Sequence, residues 1–312
     1  MVKKYYLSTM LGAMLAIGGA SVFTACTASY DNPVAPAGIA IDETNFPDSA
    51  FRHYLLEYYE YGEDGILTDK EINNTTTLEV DWEDIHNLKG IEYFTALKEL
   101  DCQGNYITEL DLSKNTKLTY LDCAYNELTK LNISNCTSLD TMFCQRNELT
   151  ELDVQNNTAL TYIDCYDNNL TKLDVTKNTK LLQLDFANNQ ITSIDLSKNI
   201  RLYELYCSGN GLTKIDVSAC QELGLLHCYK NKISGQDMDN LIGCLRQNDT
   251  PTLFEFAVID YSMGVEKEGN VCTKAQVAAA KAKGWKALQW DDDEEDWGNS
   301  CSCNPLYTRP LW

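Results

Sequence analysis

Residues 160–180 read LTYIDCYDNNLTKLDVTKNTK, and at Leu181 the same grammar starts again as LLQLDFANNQITSIDLSKNIR. Each unit opens with Leu, two variable residues, an aliphatic residue and then Asp-Cys or a variant of it, reaches an Asn, and continues with a second half close to Leu-Thr-x-Leu-Asp-Val. The opening leucines are Leu97, Leu118, Leu139, Leu160, Leu181, Leu202 and Leu223, evenly 21 residues apart. A fixed period of that length marks a solenoid. One unit cannot bury its own apolar face, so neighbouring units must stack into a continuous core and display their remaining side chains in columns.

Both halves of the unit alternate inward and outward, as strands do, so each turn is expected to hold two extended segments. Columns then become rows of side chains roughly 4.8 Å apart. An Asn follows each segment: Asn105, Asn126, Asn147, Asn168, Asn189, Asn210 and Asn231 after the first, and Asn115, Asn157, Asn178 and Asn199 after the second. A corner leaves backbone donors and acceptors unpaired, and a buried amide can satisfy both kinds. Cys136 and Cys220 replace Asn in the second ladder.

The motif Leu-x-x-Leu-x-Cys-x-x-Asn-x-Leu is similar to the signature of leucine-rich repeats. The 21-residue unit with its cysteine column resembles the bacterial internalin family, in particular its internalin J-like members, over roughly residues 46–245. The resemblance implies an α/β leucine-rich repeat solenoid, a parallel β right-handed superhelix with an EF-hand-like helical N-terminal cap. It also implies a surface protein for adhesion or recognition. Fold alone does not name the ligand.

The cysteine column is Cys102, Cys123, Cys144, Cys165, Cys207 and Cys228, with Phe186 in the one place left over. A straight inward row cannot wrap a tetrahedral ion. Disulfides between neighbouring turns are possible on Cα spacing, but parallel side chains hold Cβ atoms wider than the preferred ~3.8 Å. Reduced thiols packed as small hydrophobes are the favoured reading, because Phe186 treats the slot as simply apolar.

The outward places of the second half are nearly uniform. Thr108, Thr129, Thr150, Thr171, Thr192 and Thr213 form one column; Asp111, Asn132, Asp153, Asp174, Asp195 and Asp216 form another. Uniformity suggests scaffold. The outward places of the first half vary instead, and they supply the candidate ligand-binding face: Glu99, Asp101, Tyr120, Asp122, Phe143, Tyr162, Asp164, Tyr166, Asp185, Glu204, Tyr206, His227 and Tyr229. Rings beside carboxylates can anchor a protein partner, or stack on sugar faces while Asp accepts from hydroxyls. The bland alternative is that Tyr suits an exposed strand.

Lys3 and Lys4 precede an apolar run from Leu11 to Phe23 that ends at Thr24-Ala25-Cys26, too short for an ordinary span. Residues 1–25 are similar to a bacterial lipoprotein signal, with Cys26 as the lipid-bearing mature N-terminus. Residues 26–44 are read as a flexible tether and 45–75 as the helical cap. In that cap, Asn45-Phe46-Pro47-Asp48 starts a helix with Phe51, Leu55 and Tyr58 or Tyr59 on one stripe. Thr68 and Glu71 have capping-box spacing for a second helix. With Gly65 as the sixth place of a calcium loop, oxygen ligands would fall on Glu60, Asp64 and Glu71, but the third place is Gly62, which has no side chain. A helical hairpin plugging the stack is the favoured reading, with no metal.

Repeats are assigned to 76–243, an α/β C-terminal cap to 244–290 and an acidic tail to 291–312. The cap reads as helix 237–245, strand 253–259, a helix over 274–283 N-capped by Thr273, and strand 285–290. Cys301 and Cys303 lie too close for a comfortable mutual bridge; Cys244 and Cys272 are their nearest candidate partners.

The formal charge of −21 excludes nucleic acid, whose affinity rests on clustered Lys and Arg. Catalysis lacks convergent groups: the histidines are His53, His86 and His227, and no Ser or Cys nucleophile has an evident base. The expected molecule is a monomeric, lipid-anchored protein of the cell envelope, at the outer membrane, with a periplasmic or a surface-exposed orientation left open by the sequence. It would take no cofactor and bind a host or bacterial surface protein. A glycan-binding module is the alternative and a passive spacer the second alternative.

Overall fold

In the computed structural model the leucine periodicity becomes a stack of parallel strands. The structure describes residues 38–57, 64–249, 254–260 and 268–290. The short strands are β1 (Gly38–Ala40), β2 (Ile66–Thr68), β3 (Thr77–Glu79), β4 (Glu99–Asp101), β5 (Glu109–Asp111), β6 (Tyr120–Asp122) and β7 (Lys130–Asn132). They continue as β8 (Thr141–Phe143), β9 (Tyr162–Asp164), β10 (Gln183–Asp185), β11 (Glu204–Tyr206) and β12 (Leu225–His227), followed by the longer β13 (Phe254–Asp260) and β14 (Trp285–Trp290). Ten of them form one sheet in the order β14-β13-β12-β11-β10-β9-β8-β6-β4-β3. From β3 to β12 the pairing is parallel and in register, so each residue lies beside its equivalent in the next turn.

Register follows from burial. The central residue of each strand, such as Leu100, Leu121, Met142, Ile163, Leu184, Leu205 and Leu226, is fully buried, and a one-residue slip would carry the whole set to the other face. Phe186 is as buried as the thiols of its column.

The second half of the unit departs from the expectation of a strand in every turn. Only β5 and β7 pair, as a two-stranded sheet. In later turns the inter-turn backbone bonds at this corner include Glu148 N to Leu128 O, Asn169 N to Leu149 O and Gln190 N to Leu170 O. The repeated Asp of this half closes a local turn in paired and unpaired turns alike: Asp111 in β5, and Asp153, Asp174, Asp195 and Asp216 beyond it, each accept the amide two residues on. Because Asp111 and Asn132 make the same bond within paired β5 and β7, this turn does not by itself decide where a ladder forms.

At the N-terminal end, α1 (Ser49–Glu57) buries Phe51 and Leu55, and α2 (Asp69–Asn74) begins with the capping box Thr68/Glu71. Asp48 links cap to stack: one oxygen accepts Phe51 N, the other His86 N and Asn87 N. Tyr58 and Tyr59 lie outside the described residues. The tether reading fails from Gly38 onward, because β1 pairs antiparallel with β2. A Cβ at Gly38 would stand 2.7 Å from Leu67 O, so this close approach needs glycine.

The C-terminal cap holds α3 (Gly235–Cys244), β13, α4 (Lys274–Ala282) and β14. β13 and β14 extend the long sheet in parallel. Thr273 caps α4 as expected and, with Gln276, completes a second capping box.

Candidate functional site

Strands β4, β6 and β8 to β12 set eleven of the thirteen candidate residues in two columns fixed by the register, with Tyr166 and Tyr229 in the bends two residues on. One column runs Glu99, Tyr120, Thr141, Tyr162, Gln183, Glu204, Leu225; the next runs Asp101, Asp122, Phe143, Asp164, Asp185, Tyr206, His227. The rings contact one another along the face. Phe143 lies 5.8 Å from Tyr120 and 4.9 Å from Tyr162, and Tyr206 meets His227 edge-on at 5.0 Å.

Depth differs from the expectation of a uniformly outward set. Glu99 is exposed, and Asp101, Tyr120, Tyr162, Glu204, Tyr206, His227 and Tyr229 are half-buried. Asp122, Phe143, Asp164, Tyr166 and Asp185 are buried, Asp164 with 1% of its surface exposed. The cause is size. Neighbouring turns lie so close that a short carboxylate is flanked on both sides by the side chains of adjoining turns. Each of these aspartates also holds its own bend, because Asp101, Asp122, Asp164 and Asp185 accept the amides of Gln103, Ala124, Tyr166 and Ala187.

Burial makes the charged form costly. It raises Asp164 well above the usual carboxylate range, helped by neighbouring Asp185, and raises Asp185 to about 7. Burial likewise raises Asp101, reinforced by Asp81 and Glu79. At the far end His227 Nε2 stands 3.7 Å from Glu255 Oε1, an ion-pair distance when the ring is protonated, and holds the Glu255 carboxyl below its ordinary range.

A second group of side chains escaped the period-two reading. In the bend after each strand Tyr125, Arg146, Asp167, Asn188 and Lys230 have positive φ, in the place where other turns carry Gly104 and Gly209. Trp82, 65% exposed, also has positive φ; a Cβ on Gly104 would collide with its ring, which lies 6.4 Å from that of Tyr125. The Arg146 guanidinium sits 5.1 Å from the Tyr125 ring and 5.7 Å from that of Tyr166, and pairs with Asp167 at 3.5 Å. Exposed Tyr106 stacks on His86 nearby. The signal was available: bulky residues occupying a place that glycine and asparagine fill at lower cost.

Elsewhere, the column thiols Cys102, Cys123, Cys144, Cys165, Cys207 and Cys228 are free and buried. Burial pushes all six up, far from the reactive thiolate. Of the calcium-loop residues, Glu60 lies outside the described residues. The Glu71 carboxylate is committed to Thr68 N at 2.6 Å and Thr68 Oγ1 at 2.8 Å, and Asp64 accepts Ile66 N. Cys26, Cys301 and Cys303 lie outside the described residues. An open groove of about 1230 Å³ runs along the second-half surface between Leu88 and Leu173. Its walls are the regular Asp column and the alternation Glu109, Lys130, Glu151, Lys172, so it is a product of the repeat.

No family model and no curated protein matches the chain. Among solved structures, the functional domain of internalin J from Listeria monocytogenes, which includes a cysteine ladder, is similar over 79% of this chain, with 32% identity and a TM-score of 0.56. The chain spans 55% of that domain's length. Internalin C2 of the same organism is similar over 65% of this chain and 93% of its own, with 22% identity and a TM-score of 0.55. A leucine-rich repeat protein of Leptospira interrogans is similar over 65% of this chain and 57% of its own, with 18% identity and a TM-score of 0.52. The last two bear on the fold alone.

Proposed function

Starting from an internalin-like leucine-rich repeat solenoid with a cysteine ladder, we propose that this chain is a recognition protein that binds a protein ligand through the irregular outer face of its long sheet. Repeat solenoids present extended surfaces for this purpose. The observation that carries the reading is the contrast within one chain. The second-half surface repeats Thr and Asp, whereas the first-half surface mixes contacting rings with carboxylates. Half-buried Tyr120, Tyr162 and Tyr206 are rigid anchors with a polar tip, the kind of residue that dominates interface energetics.

Protein and glycan arrays probed with the chain and with a combined Tyr120→Ala, Tyr162→Ala, Tyr206→Ala variant test it. The expected result is a protein ligand whose binding falls at least tenfold, about 1.4 kcal/mol, in the variant. Undiminished binding by the variant overturns the assignment of the face. The second reading is a glycan-binding module. It is favoured by the exposed rings of Trp82, Tyr106 and Tyr125, and would appear as glycan binding lost on Trp82→Ala.

The same proposal sets the chain in the cell envelope at the outer membrane, anchored through Cys26. Support comes from Lys3, Lys4 and the apolar run ending at that cysteine. Fatty-acid labelling that Cys26→Ser abolishes is the expected outcome; label retained in the variant sinks the anchor.

A further inference from the structure

Buried polar side-chain atoms without a hydrogen-bond partner fall into two groups among the described residues. Asn115, Asn157, Asn178 and Asn199 Oδ1 belong to the second ladder; Asp164 Oδ2, Gln145 Oε1 and Ser208 Oγ lie on the long-sheet face, with His227 Nε2 further along toward Glu255. The register spreads the three face residues over four successive turns, Gln145 one turn before Asp164 and Ser208 two turns after it. β9 and β10 place Asp164 beside Asp185. Two residues on, Gln145, Tyr166, Ala187 and Ser208 occupy successive turns of the next column, joined through Arg146 N to Tyr166 O, Asp167 N to Ala187 O and Asn188 N to Ser208 O. Gln145 is 7% exposed and Ser208 3%. Ala187 between Tyr166 and Ser208 leaves the least side-chain bulk at that point of the column.

An unmade bond at a buried polar atom costs about 1–3 kcal/mol, so Asp164 Oδ2, with Gln145 Oε1 on the adjoining turn, favours a ligand that supplies donors. The adjoining carboxyls escape repulsion and desolvation either by holding a proton or by meeting a cation, and a cation stabilises the ionised pair that burial otherwise disfavours. Among the described residues no group of three or more His, Cys, Asp or Glu is placed to hold a metal ion. A guanidinium fits better: it is planar, carries five donors and stacks on ring faces. Phe143, Tyr162 and Tyr206 flank the pair and supply such faces. The net charge of −21 steers a basic partner toward the chain.

We propose that Asp164 and Asp185, with Gln145 one turn before Asp164 and Ser208 one turn after Asp185, form the subsite that receives an arginine side chain of the protein ligand. The assignment rests on the reading of this face as protein-binding. Asp164 is buried in the unbound chain, so the rings around it must shift to admit the fork.

The test uses the full-length chain carrying ¹³C at aspartate carboxyl carbons, titrated with N-acetyl-arginine methylamide. The uncharged citrulline analogue, calcium chloride and the Asp164→Asn and Asp185→Asn variants serve as controls. The expected result is a saturable shift of the Asp164 and Asp185 signals and a fall of about one pH unit or more in their titration midpoints, as a close opposite charge produces. Citrulline and calcium should leave both signals in place. Each variant should lose the response while unfolding at no lower temperature than the parent. The proposal is overturned by no shift, by an equal response to citrulline, by a stronger response to calcium, or by a response that survives in both variants. No macromolecular ligand is in the tube, so a negative result leaves the array experiment to decide the face on its own.

Discussion

Asn147 and Asn178 occupy corresponding corners but do different work. The Asn147 amide donates to the carbonyls of Cys123, Cys144 and Gln145 at 3.0, 3.1 and 3.3 Å, and its oxygen accepts Leu128 N at 2.9 Å. Asn178 donates to Val154 O and Asn157 O at 3.0 and 2.9 Å, and its oxygen accepts nothing among the described residues. The expectation that both ladders satisfy donors and acceptors alike is therefore corrected for the second. A site that only needs a donor can take a thiol, and Cys136 does so, its Sγ donating to Leu112 O at 3.4 Å. No cysteine occurs in the first ladder, where an acceptor is also required. Asn178→Cys should consequently cost about 1 kcal/mol or less, whereas Asn147→Cys should cost about 2–4 kcal/mol by stranding the Leu128 amide and carbonyls above it. Urea denaturation of the two variants checks this, and equal losses would count against the division of labour between the ladders.

At the scale of elements, the strands of the long sheet and both caps could be read from the chain because each carries a local signal. The leucine period set the strands, Thr68/Glu71 set α2 and Thr273 set α4. Alternation in the second half misled, since it reports which side a residue faces and not whether its backbone finds a partner. There the Asp side chains accept the amides two residues on whether or not the turn pairs, and hydrogen bonds from Thr176, Ser197 and Ser218 hold Asp174, Asp195 and Asp216 below the ordinary range. Depth was illegible for a related reason. Asp122, Asp164 and Asp185 occupy the outward places of the alternation, yet they are short and buried between the side chains of adjoining turns. Trp82, Tyr125 and Arg146 lie in bends where neither period applies, and their signal in the sequence is a bulky residue in the place that other turns give to Gly104 and Gly209. The β1–β2 pair carried no periodic signal at all, being three residues on each side.

For the whole molecule, buried acids couple stability to pH in a direction opposite to ordinary salt-bridged carboxylates. Asp185 titrates near 7 in the folded chain against 3.8 for the free side chain, chiefly because burial penalises its charge, and Asp164 is raised in the same sense. Between those values the folded state holds more protons than the unfolded one, so stability falls as pH rises. The contribution is fully present below about pH 4 and lost as pH passes through about 7, a difference of at most about 4 kcal/mol from Asp185 at ~1.36 kcal/mol per unit. Asp174, Asp195 and Asp216 act with the opposite sign, but their share is lost only as pH falls toward their depressed values. From pH 5 to 8.5, therefore, the buried pair should dominate, and the general repulsion of a chain with a net charge of −21 adds to it. Thermal or urea unfolding should show the chain more stable at pH 5 than at pH 8.5. Asp185→Asn, which removes the ionisation while keeping the shape, should flatten that slope and stabilise the chain at pH 8.5 by roughly 2–4 kcal/mol. It should change little at pH 4, where the parent pair is already protonated. A slope unchanged by Asp185→Asn would mean that the carboxyl is hydrated in solution, and the arginine subsite would lose the desolvated pair on which its selectivity for a cation depends.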